Sequence, residues 1–277
     1  MQNEHLMAWI KKDIFGHPLF LKRLLIFIFG MISHRRYHKF NKLQVDGWDL
    51  LRMLPDDGVL FVSNHQTYFA DVAAMLHVFN AALNGQNNLS KPWKYLSNIK
   101  TNIYYVAAKE TMESGLLPKL FKIVGAITVE RTWRHAGKDV KRPVKFKDIS
   151  NISRALKDGW VITFPQGTTR AFKPIRKGTA HIIKQNKPIV VPIVIDGFRR
   201  AFDRKGLLIK KQGILQTMVI KAPIPIDYEH DTVDEIIEKI AYGIEQHPEL
   251  LKVVPQEMIE KQEELNKKRR FWTIKDY

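Results

Sequence analysis

The chain has 277 residues, 45% of them hydrophobic, and no cysteine. This supports one sizeable core and excludes a disordered chain, disulfides, thiolate metal sites and a cysteine nucleophile. Lys and Arg number 45 against 28 Asp and Glu, a formal charge of +17, which attracts nucleic acid, anionic lipid or acidic and phosphorylated partners; neither a Cys/His finger nor an RRM-type aromatic signature favours nucleic acid among them.

Residues 1–40 read as a helical segment suited to a lipid interface. Their apolar run at 24–32 (Leu-Leu-Ile-Phe-Ile-Phe-Gly-Met-Ile) is flanked by Lys22 and Arg23 and by His34, Arg35, Arg36 and Lys39. It is far shorter than the roughly 20 residues that span a bilayer. A short apolar helix with basic ends fits monotopic insertion, and a helix packed on the core is the competing reading. Residues 42–46 read as a first strand and 59–62 as a buried one. Val72, Met75, Leu76, Phe79 and Leu83 recur at helical spacing over 70–83, and 84–88 close that helix as a loop. Strands follow at 103–106 and 126–129, with a helix at 112–123 between them. Residues 131–147 are basic and aperiodic and read as a long surface loop. A helix at 148–157, strands at 161–164 and 189–195, a later strand at 218–220 and an amphipathic helix from Asp231 to Gln246, capped by Asp231 or Thr232, complete the core. Strands alternating with helices predict an α/β fold with a mostly parallel sheet flanked by helices. The expected organisation is an interfacial segment at 1–40, one catalytic domain at 41–250 and a charged helical tail at 251–277.

The polar residues cluster where strands end. Asn64-His65-Gln66-Thr67-Tyr68-Phe69-Ala70-Asp71 follows the strand at 59–62 and opens the next helix, the place where α/β folds seat ligands. A neutral imidazole can take a proton from an alcohol, and a carboxylate can fix its tautomer and stabilise the imidazolium. Six positions on one regular helix do not bring two side chains together, so His65 must stand in the loop with Asp71 in the first helical turn. Read alone, Asp71 also fits as a carboxylate complementing the helix dipole, and His65 as a loop histidine. The turn Phe164-Pro165-Gln166-Gly167-Thr168-Thr169-Arg170 suits polar or anionic ligands. Gly125-Ala126-Ile127-Thr128-Val129-Glu130-Arg131 puts an arginine at another strand's end, where a surface ion pair is the alternative.

Taken in order over residues 42–225, these segments resemble the lysophospholipid acyltransferase family, which contains the 1-acylglycerol-3-phosphate O-acyltransferases. Its motifs are Asn-His-x4-Asp, Gly-x-Ile-x-x-x-Arg, Phe-Pro-Glu-Gly-Thr-Arg and an apolar strand containing proline. The counterparts are Asn64/His65/Asp71, Gly125/Ile127/Arg131, residues 164–170, and Val191-Pro192-Ile193-Val194-Ile195; Val106-Ala107-Ala108-Lys109-Glu110 resembles the strand before the second motif. This chain departs in having five residues between His65 and Asp71, Gln166 for glutamate, and an extra threonine before Arg170. Gln166 removes a negative charge, which weakens repulsion of an anionic acceptor or marks a different one.

The resemblance implies direct acyl transfer from acyl-CoA or acyl-carrier protein to a lyso-lipid hydroxyl at a membrane surface, with no metal and no other cofactor. His65 would deprotonate the hydroxyl and Asp71 orient it. Gly125, Arg131, Gln166, Gly167, Thr168, Thr169 and Arg170 would bind substrate. The expected acceptor is 1-acylglycerol 3-phosphate, giving phosphatidate, with a lyso-aminolipid as the alternative. Partners would be the lipid surface, the lyso-lipid and the thioester donor, with no nucleic acid, at the cytoplasmic face of a bacterial-type inner membrane. The absence of cysteine and of a Gly-x-Ser-x-Gly elbow argues against an acyl-enzyme. A non-catalytic basic protein that binds membrane or nucleic acid is the reading from another class.

Overall fold

The computed structural model describes residues 11–112, 116–130, 134–135, 138–139 and 146–251. Its elements are helix α1 (Leu19–His38), strand β1 (Lys42–Asp46), α2 (Trp48–Met53), β2 (Val59–Ser63), α3 (Ala70–Leu83), α4 (Pro92–Leu96), β3 (Ile103–Ala108), α5 (Lys109–Met112), α6 (Leu116–Val124) and β4 (Ala126–Val129). After these come β5 (Arg134–His135), β6 (Lys138–Asp139), α7 (Phe146–Asp158), β7 (Trp160–Thr163), α8 (Lys177–Asn186), β8 (Ile189–Asp196), α9 (Phe198–Ala201), β9 (Leu215–Ile220) and α10 (Val233–Gly243).

Seven strands form one sheet in the order β1-β9-β8-β2-β7-β3-β4. From β8 to β4 all neighbours are parallel. β9 runs antiparallel to β8, and β1 runs parallel to β9. The central strands read as unbroken apolar runs because both of their faces are covered. Val59, Phe61, Ile103, Trp160 and Ile162 pack on one side with Met75, Val78 and Phe79 of α3. Leu60, Val62, Tyr104 and Val161 pack on the other, against α7, α8 and α10 through Ile152, Ile183 and Ile236. The carboxyl ends of β2 and β7 therefore lie side by side at the middle of the sheet, with two layers of helix walling the crevice above them.

Four details differ from the sequence expectations. Residues 11–18 are not helical: Asp13 accepts the N–H groups of Phe15 and His17 in a local turn, and the helix starts only after Pro18. The helical region expected at 112–123 is wider, with α5 beginning at Lys109 and α6 ending at Val124. The basic loop at 131–147 contains, among its described residues, the antiparallel pair β5–β6, and α7 begins within it at Phe146; two-residue strands carry no readable period. Helices α2, α4 and α9 are too short to show one, and α8 buries only Thr179, Ala180 and Ile183. Thr232 caps α10, exchanging hydrogen bonds with Glu235 in a capping box. Residues 1–10 and the tail beyond Leu251 lie outside the described residues.

Helix α1 packs on the core along one face, as the competing reading expected, and leaves its other face exposed. Lys22, Ile26, Gly30, His34 and Tyr37 are buried against the domain, and a Cβ on Gly30 would stand 2.8 Å from Leu96. Phe20, Leu24, Phe27, Ile28, Met31 and Ile32 are exposed on the outer side. The buried side is fastened by an ion pair. Lys22 Nζ lies 3.3 Å from Asp13 and 4.4 Å from the centre of the Tyr104 ring, with its side chain fully buried. Burial pushes the Lys22 ammonium below its ordinary pKa, against the pull of Asp13. Removing either partner would strand a buried charge, at a cost of about 3–5 kcal/mol.

Candidate active site

The turn after β2 is held from several directions. Asn64 pairs with Ile195 at the end of β8, its Nδ2 donating to the carbonyl and its Oδ1 accepting the N–H, both at 2.8 Å. Gln66 Nε2 donates to Ile195 O and Asp196 Oδ1, and its Oε1 accepts the N–H of Arg199. The N–H groups of Tyr68 and Phe69 donate to the carbonyls of Arg204 and Lys205. Beneath them Gly206 has φ +76°, and a Cβ there would fall 2.6 Å from the Ala70 nitrogen, so this close approach demands glycine.

This frame brings His65 and Asp71 together. His65 Nδ1 lies 2.9 Å from Asp71 Oδ2. The carboxylate is fully buried and accepts four further contacts: Gln66 N–H at 2.7 Å, Thr67 N–H at 3.0 and 3.1 Å to its two oxygens, and Thr67 Oγ1 at 2.6 Å. The extra residue between His65 and Asp71 is taken up by the turn, whose N–H groups aim at the carboxylate. Asp71 accepts at Nδ1, so the proton belongs there and the lone pair falls on Nε2. Phe164, from the end of β7, stacks on the imidazole with centroids 3.9 Å apart and planes at 20°. The ring is thus fixed at one edge by a charge and across one face by an aromatic.

His65 lines a cavity of about 970 Å³, at the upper end of the roughly 300–1,000 Å³ usual for ligand pockets. Its walls are mainly apolar and include Ile26 and Phe29 from α1, Val72 and Leu76 from α3, Val106 from β3 and Phe121 from α6. A polar chain crosses one wall. Tyr95 OH and Ser33 Oγ lie 3.0 and 2.8 Å from the two nitrogens of His77, and Ser33 Oγ donates to Phe29 O. Burial pushes His77 down to about 3, helped by the charge of His34, so this imidazole is neutral at physiological pH.

The remaining candidates are spread around this centre. Gly167 and Thr168 line the cavity. Thr169 is buried behind them and Arg170 is exposed; neither is among the lining residues. Gln166 is also turned away from the cavity: it is buried, and its Nε2 donates to Lys173 O and to Gln246 Oε1, so it braces its own loop. Gly125 stands between α6 and β4 with φ +128°, where a Cβ would meet Ile103 O at 2.6 Å, a position set by packing of β4 on β3. Arg131 lies outside the described residues. Sequence reasoning missed Thr67, whose hydroxyl sits on Asp71, and Arg176, which lines the cavity at the start of α8. Among the described residues no group of His, Asp and Glu could hold a metal ion.

The model of the family described as Acyltransferase matches residues 42–196, more than half of the chain. A 1-acyl-sn-glycerol-3-phosphate acyltransferase of Cocos nucifera is 28% identical over 143 residues, which are 49% of this chain and 42% of that protein. The chain thus spans less than half the length of that curated relative. The crystal structure of the 1-acyl-sn-glycerophosphate acyltransferase PlsC from Thermotoga maritima superposes with a TM-score of 0.51 over 83% of this chain and 79% of that one, at 18% identity, a likeness of fold.

Proposed function

The chain belongs to the acyltransferase family, and from that premise we propose that it moves a fatty acyl group from a thioester carrier to the hydroxyl of a lyso-lipid at a membrane surface. The observation that carries this reading is the Nδ1–Asp71 contact of 2.9 Å on a histidine that lines a large apolar cavity. In the proposed reaction Nε2 of His65 takes the hydroxyl proton while Asp71 stabilises the imidazolium. The alkoxide oxygen attacks the thioester carbonyl. The tetrahedral adduct collapses with cleavage of the C–S bond, and the thiolate leaves with the proton held by His65. Ester and free thiol are the products, and no acyl-enzyme forms. The apolar cavity takes the acyl chain out of water. Gly167 and Thr168 at its wall, with Arg131 from the second motif, contact the acceptor.

The acceptor that fits a chain of formal charge +17 is a phosphorylated lyso-lipid, 1-acylglycerol 3-phosphate, with phosphatidate as product. The outer face of α1 supports attachment by one leaflet. Its exposed Phe20, Leu24, Phe27, Ile28, Met31 and Ile32 are followed by Arg35 and Arg36, the composition of an interfacial helix. No helix among the described residues is long and apolar enough to cross a membrane.

The test is transfer by the purified full chain from an acyl-CoA, or an acyl-carrier protein, to 1-acylglycerol 3-phosphate, with the product identified by mass. His65→Ala is expected to lower turnover by roughly 10²–10⁴-fold and to leave the fold intact. Failure of the wild-type chain to acylate any lyso-lipid, or near-normal turnover by folded His65→Ala, would reject the reading.

A further inference from the structure

Three permanent cations stand among the described residues that line the cavity: Arg36, Arg176 and Lys177. Arg36 belongs to α1 and donates to the Gly206 carbonyl at 3.1 Å. Lys177 lies 3.0 Å from Asp234 of α10, and the two side chains are 68% and 78% exposed, so that pair faces bulk water. Arg176 is differently placed. Its N–H donates to the Pro165 carbonyl at 2.9 Å, and the ring of the preceding residue, Phe164, is the one stacked on His65. The backbone of Arg176 is therefore tied to the turn that fixes the catalytic imidazole.

We propose that Arg176 is the guanidinium that binds the anionic group of the acceptor, the role that the motif pattern would give to Arg170. This rests on the acyl-transfer reading above and deepens it. Arg170 is exposed and outside the cavity lining, while Thr169, which takes the place directly after Gly-Thr, is buried. Arg176 is half-buried at the cavity wall, with Thr168 and Thr179 as neighbouring hydroxyls in the same lining. Gly178 beside it leaves open space, with nothing within 4 Å of where a Cβ would stand, so a headgroup has room. Burial also pushes the guanidinium below its ordinary pKa; in such partly desolvated surroundings a phosphate or carboxylate is held more strongly than in water, and a bidentate fork fixes its orientation. Two carboxylates line the cavity as well. Glu130 lies 3.1 Å from Lys109, and Asp148 accepts the Glu130 N–H at 2.9 Å.

The experiment compares steady-state transfer to 1-acylglycerol 3-phosphate with transfer to uncharged 1-acylglycerol for wild type, Arg176→Gln, Arg176→Lys and Arg170→Gln, with a melting curve for each. Arg176→Gln is expected to raise KM for the phosphorylated acceptor by roughly 10–100-fold. The donor KM and the rate with the uncharged acceptor should stay within about twofold. Arg176→Lys should recover part of the loss, and Arg170→Gln should raise that KM less than Arg176→Gln does. An Arg176→Gln enzyme with an unaltered KM for the phosphorylated acceptor overturns the assignment, as does an equal loss with both acceptors, which would mean a structural role. A wild-type enzyme that prefers the uncharged acceptor removes the phosphorylated-acceptor reading itself, and the assignment with it.

Discussion

Asp71→Asn isolates the charge at the centre of the site, because the rest of the geometry can survive it. Oδ2 takes His65 Nδ1, the Gln66 N–H and one Thr67 contact, while Oδ1 meets Thr67 N–H and its hydroxyl. An asparagine that keeps its carbonyl oxygen at the Oδ2 position retains the Gln66 N–H bond, the Thr67 N–H contact to that oxygen and the histidine tautomer, and loses the weaker Thr67 N–H contact to Oδ1. Its amide nitrogen then faces the Thr67 hydroxyl, which can rotate to accept. What disappears is the negative charge beside the imidazolium. Charge-assisted bonds to buried groups contribute about 1.5–3 kcal/mol where neutral ones contribute about 1, so the fold should lose on the order of 1–2 kcal/mol and remain folded. Turnover should fall by roughly 10²–10⁴-fold, about 3–5 kcal/mol in the barrier. The assay is single-turnover acyl transfer at saturating donor, beside a thermal melt. A folded Asp71→Asn enzyme within threefold of wild type would refute the reasoning and leave Asp71 as a carboxylate that only organises the turn. Asp71→Ala is the weaker experiment, since it strands the N–H groups of Gln66 and Thr67 and confounds folding with chemistry.

Two other perturbations test the surroundings of the site. His77 is held near 3 by burial while an unfolded histidine titrates near 6.5, so below about pH 6.5 the unfolded chain binds a proton that the folded one refuses. The stability present at neutral pH is then lost by about 1.4 kcal/mol per pH unit, roughly 2 kcal/mol at pH 5; His77→Gln should flatten the fall in Tm between pH 7 and 5, and an unchanged fall would discount the role of His77. On the outer face of α1, Leu24→Glu with Ile28→Glu should make binding to anionic vesicles largely salt-sensitive, because the apolar part of the attachment is lost and the electrostatic part is screened. Complete release of the wild-type chain by salt alone would mean that the outer face of α1 does not enter lipid.

The sheet was legible because its strands announce themselves. Residues buried on both faces give continuous apolar runs, and Val59–Ser63, Ile103–Ala108 and Ile189–Asp196 each stand out against polar flanks. Helix α3 was legible from its spacing and begins and ends where that spacing does. Elements of five residues or fewer, such as α4 and α9, have too few turns to show a period. At the site, the motif named His65 and Asp71, but it said nothing about the groups that bring them together. Asn64 reads as one polar residue among several, and only the sheet shows that its amide extends the pairing of β2 with β8. Gln166 illustrates the reverse. A polar residue in a turn at a strand's end invites a ligand, whereas this one is used by Lys173 and Gln246. Arg176 lies outside every motif in the sequence, and its place in the wall of the cavity that His65 also lines goes with a contact eleven residues back along the chain, at Pro165.

On the proposed attachment, helix α1 would join the lipid surface to the chemistry more closely than a separate anchor would. Ile26, Phe29 and Gly30 line the cavity from its inner side, while Leu24, Phe27 and Ile28 point outward one turn or less away. Ile32 does both: it lines the cavity and is 64% exposed. If the outer face lies in the headgroup layer, as proposed, the part of the cavity lining at Ile32 lies at that depth too. An acyl chain or lyso-lipid can then pass from bilayer to cavity without exposing its hydrocarbon to water, which would cost about 0.8 kcal/mol for each methylene. The buried Lys22–Asp13 pair fastens this helix to the segment before it, and the same helix contributes residues to the cavity wall. If α1 attaches as proposed, attachment and substrate entry share one element, and the buried Lys22 ties that cavity wall to Asp13 at an energetic cost that a simple anchor would not need to bear.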